Sequence, residues 1–102
     1  MSLGGGTLDI RRRSRRGKTF KVSLEIKEGR VVNFILSGDF FAYPAESLDK
    51  IGEEVRGLQI SELLEVVESR LKEVELAGVD TKEIMEAIKE LLLPFLEPRQ
   101  RT

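Results

Sequence analysis

A chain of 102 residues with 40% hydrophobic content suffices for one domain around one core, and no apolar run approaches the ~20 residues a membrane-crossing helix needs. It contains no histidine and no cysteine, which removes imidazole acid–base catalysis, thiolate nucleophiles, disulfides, iron–sulfur ligation and the two main zinc ligands. The net charge of −1 conceals an asymmetry: residues 1–30 hold nine Lys/Arg against three Asp/Glu, and residues 31–102 hold eight against fifteen.

In chain order, residues 1–6 contain three consecutive glycines and are expected to be a disordered segment. No apolar stretch follows the basic one, so no signal peptide is read and the protein is expected in the cytoplasm. Thr7 to Arg11 alternates apolar and polar and predicts a short edge strand. Phe20, Val22, Leu24 and Ile26 alternate with Lys21, Ser23, Glu25 and Lys27, a half-buried strand. Lys27-Glu28-Gly29-Arg30 reads as a tight hairpin turn. The returning run places Val32, Phe34 and Leu36 on one face and Val31 and Ile35 on the other, which predicts a central or doubly covered strand. Such a pair needs helices over it.

Pro44 suits the first turn of a helix carrying Leu48, Ile51 and Val55 and ending at Gly57. A second helix, capped by Ser61, carries Ile60, Leu64, Val67, Leu71 and Val74 at helical spacing and stops at Gly78. Asp80-Thr81-Lys82-Glu83 reads as a capping box opening a third helix with Ile84, Ile88, Leu91, Leu92 and Phe95 on one face. Pro94 is expected to kink or end that helix near Leu93, and Pro98 and the polar tail close the chain. Strands first and helices after predict an α+β fold: a small antiparallel sheet of two to three strands covered by three helices. The predicted boundaries are a single domain over 7–98 and a tail over 99–102.

Charged residues make up 34% of the chain, with one Asn and two Gln, a hyperthermophile-like composition. Gly17-Lys18-Thr19 fails as a nucleotide P-loop, because position 12 is Arg where the motif needs Gly and a strand follows where it needs a helix. Arg11-Arg12-Arg13-Ser14-Arg15-Arg16 has three readings. It is a solvated arm or edge strand, a nucleic-acid arm, or a contact with nucleotide phosphate or an acidic partner. Against nucleic acid stand the acidic remainder of the chain and the lack of interleaved stacking aromatics. Carboxylates remain available for Mg²⁺, but such sites borrow substrate phosphate. The Glu-rich helix faces read as solvated surface and not as a metal cluster.

The densest feature is Gly38-Asp39-Phe40-Phe41-Ala42-Tyr43-Pro44, which holds three of the six aromatics within four residues. Turns favour small polar residues, so bulky rings here must pack beneath the turn or meet a partner. Neighbours on a strand face opposite ways, so one of Phe40 and Phe41 is expected in the core and the other outside it. Asp39 reads as an Asx-turn residue or a cap near the helix at Pro44. One carboxylate with no partner cannot run general acid–base catalysis.

Gly38-Asp39-Phe40-Phe41, followed by Tyr43-Pro44, Leu48 and Gly57, resembles the small accessory domain of lipoate–protein ligases, in the order strand, turn, strand, Gly-Asp-Phe-Phe, Pro, helix. The resemblance runs from about Gly17 to Ile88. In that family the domain is either the C-terminal piece of a ligase or, in some archaea, a separate chain beside a catalytic subunit. The resemblance implies a non-catalytic accessory subunit, needed while its partner condenses lipoate with Mg²⁺-bound ATP to lipoyl-AMP before transfer to a lysine of a lipoyl carrier domain. It implies no cofactor on this chain alone. It implies a docking element of Gly38, Asp39, Phe40, Phe41 and Tyr43, with Lys18 near the phosphates; Arg16 stands where the family often has a second glycine. The alternative is a small nucleic-acid- or ribosome-associated module using the arginine arm.

Overall fold

The alternation Phe20, Val22, Leu24, Ile26 buries four side chains in succession on one face of β2 (Thr19–Lys27), and the rest of the fold is arranged around that face. This computed structural model describes residues 6–96. A two-residue turn at Glu28 and Gly29, both at positive φ, returns the chain into β3 (Arg30–Gly38), with Lys27 opposite Arg30. That is the primed-turn geometry whose twist matches antiparallel strands. On the other side of β2 lies β1 (Gly6–Arg13), giving the antiparallel order β1-β2-β3. β1 is longer than the alternation over Thr7–Arg11 predicts. The arginines extend its pairing through Arg12 opposite Phe20 and Arg13 opposite Thr19. Gly6 belongs to this strand, and the remainder of the segment expected to be disordered, like Pro98 and the tail, lies outside the described residues.

The face assignment of β3 is corrected by a bulge. Glu25 pairs with Asn33 but Ile26 pairs with Val31, so Val32 has no partner across the strand pair. The extra residue reverses the alternation, so Val31, Phe34 and Leu36 point inward while Val32 and Ile35 are exposed. β3 is therefore an edge strand with one covered face, not a central strand. Its end is closed by the loop after the first helix. The Val31 amide donates to the Leu58 carbonyl (2.9 Å), and the Gly57 amide donates to the Val31 carbonyl (2.8 Å).

Three helices cover the inner face: α1 (Ser47–Glu54), α2 (Ile60–Leu71) and α3 (Thr81–Leu96). Ile51 and Val55, Leu63, Val67 and Leu71, and Ile84, Ile88 and Leu92 meet the strands in one core. Arg70 of α2 forks onto Glu54 of α1 at 2.9 and 2.7 Å and holds that carboxyl below the usual carboxylate range. The α+β class and the helix count agree with the sequence, but several boundaries differ. α1 begins at Ser47, and Pro44 precedes it after a cis Tyr43–Pro44 bond. α2 is capped at Gln59 and not Ser61, with Glu62 accepting the Gln59 amide at 3.0 Å. Leu63 takes the buried position expected of Leu64, which is half-buried. α3 runs past Pro94 to Leu96, and Phe95 is exposed and not on its packed face.

Two three-residue strands were not predicted. β4 (Phe41–Tyr43) and β5 (Glu75–Ala77) form a separate antiparallel ribbon. α2 ends at Leu71, so Val74 lies outside the helix to which its spacing assigns it. Glu, Leu and Ala at 75–77 favour helix by intrinsic propensity, and pairing with β4 overrides it.

Candidate protein-docking site

The ribbon is held at both ends by the sheet. At one end Gly38 leaves β3 at φ +151, and a Cβ there would lie 2.3 Å from the Thr19 carbonyl oxygen and 2.9 Å from the Phe20 Cα. Only glycine lets the two backbones approach so closely. Asp39 follows. Its carboxylate accepts the Thr19 amide at 2.8 Å, and its own amide donates to the Thr19 carbonyl at 3.3 Å. Asp39 thus has a structural role, but neither of those its position predicts: it forms no cap on the helix after Pro44 and instead ties the turn to the start of β2.

Phe40 is half-buried against the core, and Phe41 turns the other way with 73% of its surface exposed. Strand alternation then puts Ala42 inward, opposite Leu76, and Tyr43 outward, 71% exposed. Phe41 stands across from Ala77 and Tyr43 across from Glu75. One face of the ribbon thus displays two nearly bare aromatic rings beside a small residue and one carboxylate.

At its other end β5 runs into Gly78, at φ +96, whose carbonyl accepts the Lys18 amide at 3.0 Å. A Cβ on Gly78 would lie 2.2 Å from the Lys18 Cγ, so the lysine stem lies directly over this glycine. The ribbon therefore brings Lys18 within two residues of the position facing Phe41. All six residues singled out from the sequence gather at one end of the domain. They divide by role: Gly38, Asp39 and Phe40 build the turn, and Phe41, Tyr43 and Lys18 are exposed on it.

The arginine cluster is ordered by α3. Arg12 pairs with Glu90, Arg15 with Glu83 at 3.5 Å, and Arg16 with Asp80 at 4.0 Å. Of the readings of this segment, the edge strand describes 11–13, and a tight turn describes 14–17. Ser14, only 4% exposed, accepts the Arg16 amide through Oγ at 3.0 Å and donates to Glu83. Glu83 also accepts the Arg15 amide at 3.0 Å. Glu83 was expected to close a capping box with Asp80; instead it clamps a turn 68 and 69 residues earlier in the chain. Asp80 caps α3 alone, accepting the Lys82 amide at 3.2 Å.

The Arg15 amide first, and then the Ser14 hydroxyl, hold the Glu83 carboxyl below its usual range. A lowered folded-state pKa gives stability that is present above the unfolded value and lost as pH falls through the folded one. Glu83→Gln is expected to lower the melting temperature by roughly 4 °C at neutral pH, with the difference from the parent chain vanishing as the pH falls below the lowered folded-state value. Thermal melts of the two proteins across this range check it, and a difference independent of pH would contradict it.

The exposed ring of Phe41 agrees with the expectation that one ring lies outside the core. Ala77, Glu75, Gly78 and Glu83 were missed. A three-residue strand carries too little alternation to be read, and a clamp across 69 residues leaves no local pattern. Among the described residues no group of three or more His, Cys, Asp or Glu is placed to hold a metal ion, and no helix is long and apolar enough to cross a membrane.

No protein-family model matches the chain. Over 70 residues, 68% of this chain and 74% of the relative, it is 24% identical to lipoate-protein ligase A subunit 2 of Thermoplasma acidophilum. Its fold is similar, with a TM-score of 0.67 and 20% identity, to a chain solved in a structural analysis of an archaeal lipoylation system, a bipartite lipoate protein ligase and its E2 lipoyl domain from the same organism. That match covers 86% of this chain and 97% of the other. The first comparison agrees with the family that the sequence resembles, and the second agrees in fold.

Proposed function

We propose that this chain is the non-catalytic accessory subunit of a two-part lipoate–protein ligase, and that it acts in the cytoplasm by docking on a separate catalytic subunit. The observation that carries the reading is the β4–β5 ribbon, which holds Phe41 and Tyr43 in solvent on a backbone anchored at both ends. Exposed aromatics on a rigid support are the usual anchors of an interface, because they bury large area while losing little side-chain freedom. The similarity to a second subunit of such a ligase supplies the kind of partner.

Docking promotes chemistry by binding one state of the partner better than another. The catalytic subunit's lipoate and ATP–Mg²⁺ loops close when the ribbon's rings are seated, and adenylation to lipoyl-AMP follows in that closed state. The accessory chain supplies no reacting group, which suits a sequence without His or Cys. In this reading Lys18, whose stem packs over Gly78 beside the ribbon, contributes its ammonium to nucleotide phosphate across the subunit boundary. The lipoyl carrier domain then meets the catalytic subunit and touches this chain only indirectly. Nucleic acid does not fit this reading: Arg12, Arg15 and Arg16 are already paired with acids of α3 and the residue before it.

The test is affinity for the catalytic ligase subunit at two salt concentrations. Apolar docking predicts that the dissociation constant changes by less than about threefold between ~0.1 and ~0.5 M salt, because screening touches only the charge component. Absence of binding, or the steep linear fall of log affinity with log salt typical of phosphate contacts, would contradict the proposal.

A further inference from the structure

β1 has a free edge. Among the described residues it pairs with β2 alone, so one edge of an eight-residue strand carries N–H and C=O groups with no strand partner. Such an edge is a template for another strand, and proteins that leave one open commonly blunt it with charge. Here the charges are self-complementary. On the open face of the sheet Asp9 and Arg11 flank Ile10, both exposed, and neither is in an ion pair within the described part of the chain.

We propose that β1 pairs with β1 of a second copy of this chain, antiparallel about a two-fold axis at Ile10, making one six-stranded sheet from two three-stranded ones. This register sets Ile10 against Ile10, Asp9 of each copy against Arg11 of the other, and Thr7 against Arg13. Directly opposite residues in antiparallel strands share a face, so the two Asp9–Arg11 pairs form on the open side. Moving the axis to Asp9 stacks like carboxylates on each other, and moving it to Arg11 stacks like guanidiniums. A one-residue slip turns one copy's helices to the opposite face.

The helical layer supports the same axis. α3 runs antiparallel to β1, since Glu83 binds at Ser14 and Arg15 while Glu90 binds Arg12. Leu93 lies one turn past Glu90, on the same stripe, and is 48% exposed. A rise of ~1.5 Å per helical residue against ~3.3 Å per strand residue carries Leu93 one to two strand positions beyond Arg12, to the level of Ile10. Pairing about Ile10 therefore brings an exposed leucine of each copy toward the axis. The interface is isologous and closed, so association stops at the dimer.

The experiment is analytical ultracentrifugation of the parent chain, Asp9→Arg, Arg11→Asp and the Asp9→Arg/Arg11→Asp double variant, over roughly three decades of concentration. Circular dichroism checks that each is folded, as these exposed positions predict. The parent chain is expected to show a reversible monomer–dimer equilibrium. Each single variant replaces two opposite-charge pairs by two like-charge pairs per dimer and should weaken it by about tenfold or more. The double variant restores both pairs and should return the dimer to parental strength. A parent chain that stays monomeric at every concentration overturns the proposal, as do single variants that dimerise like the parent or a double variant that stays weak. Hydrogen exchange is the second readout, with protection of β1 amides rising with concentration. Protection that appears only when the catalytic subunit is added would assign this edge to that protein and not to a second copy.

Discussion

Gly38→Ala is expected to cost roughly 3–5 kcal/mol, a large share of the 5–15 kcal/mol that holds a domain of this size together. The added methyl would stand 2.3 Å from the Thr19 carbonyl oxygen, 2.9 Å from the Phe20 Cα and 3.0 Å from the Phe40 ring, and two of these three neighbours are backbone. A flexible side chain can swing aside; a strand backbone in a three-stranded sheet cannot. Parting the strands would also break the Thr19–Asp39 bonds of 2.8 and 3.3 Å that close this end of the sheet. Thermal melts should show a fall of roughly 15 °C or more. A fall below about 4 °C would mean that the chain relaxes locally and that Gly38 is not the constraint on this corner.

Phe40 and Phe41 are adjacent, yet their replacement by alanine should have opposite effects. Phe40→Ala removes a half-buried ring packed on the core and should cost about 2 kcal/mol, less than the 3–5 kcal/mol typical of a fully buried ring. Phe41→Ala removes a ring that is 73% exposed and should change stability by no more than about 0.5 kcal/mol. Its effect belongs to the interface. A central aromatic anchor is worth about 2 kcal/mol or more, so affinity for the catalytic subunit should fall roughly thirtyfold. Calorimetric melts and binding titrations of both variants decide the matter. If Phe41→Ala melts like the parent and binds like it too, the ribbon is not the docking element.

The strongest sequence patterns became the best-placed elements. The four-residue alternation Phe20, Val22, Leu24, Ile26 is the buried face of β2, and the stripe Ile84, Ile88, Leu92 is the buried face of α3. Both are long enough for periodicity to dominate. On β3, Phe34, Ile35 and Leu36 lie as their alternation predicts, but Val31 and Val32 exchange faces because a bulge at Val32 breaks the alternation, and a bulge depends on the partner strand. The opposed facing of Phe40 and Phe41 followed from local geometry alone. The ribbon that presents Phe41 did not, because β5 comes from 32 to 36 residues further along and its three residues look helical. The same limit hid the tie between Ser14 and Glu83, and with it the ordering of the arginine cluster. Patterns within one element were legible; contacts made by bringing two elements together were not.

The most direct test of the accessory role is the formation of lipoyl-AMP from lipoate and ATP–Mg²⁺ by the catalytic subunit, measured alone, with the parent chain, and with its Phe41→Ala variant at the same concentration. Product is expected only in the mixture with the parent chain, with little or none with Phe41→Ala and none from this chain by itself. Adenylation by the catalytic subunit at an equal rate with and without this chain, or by this chain alone, would contradict it.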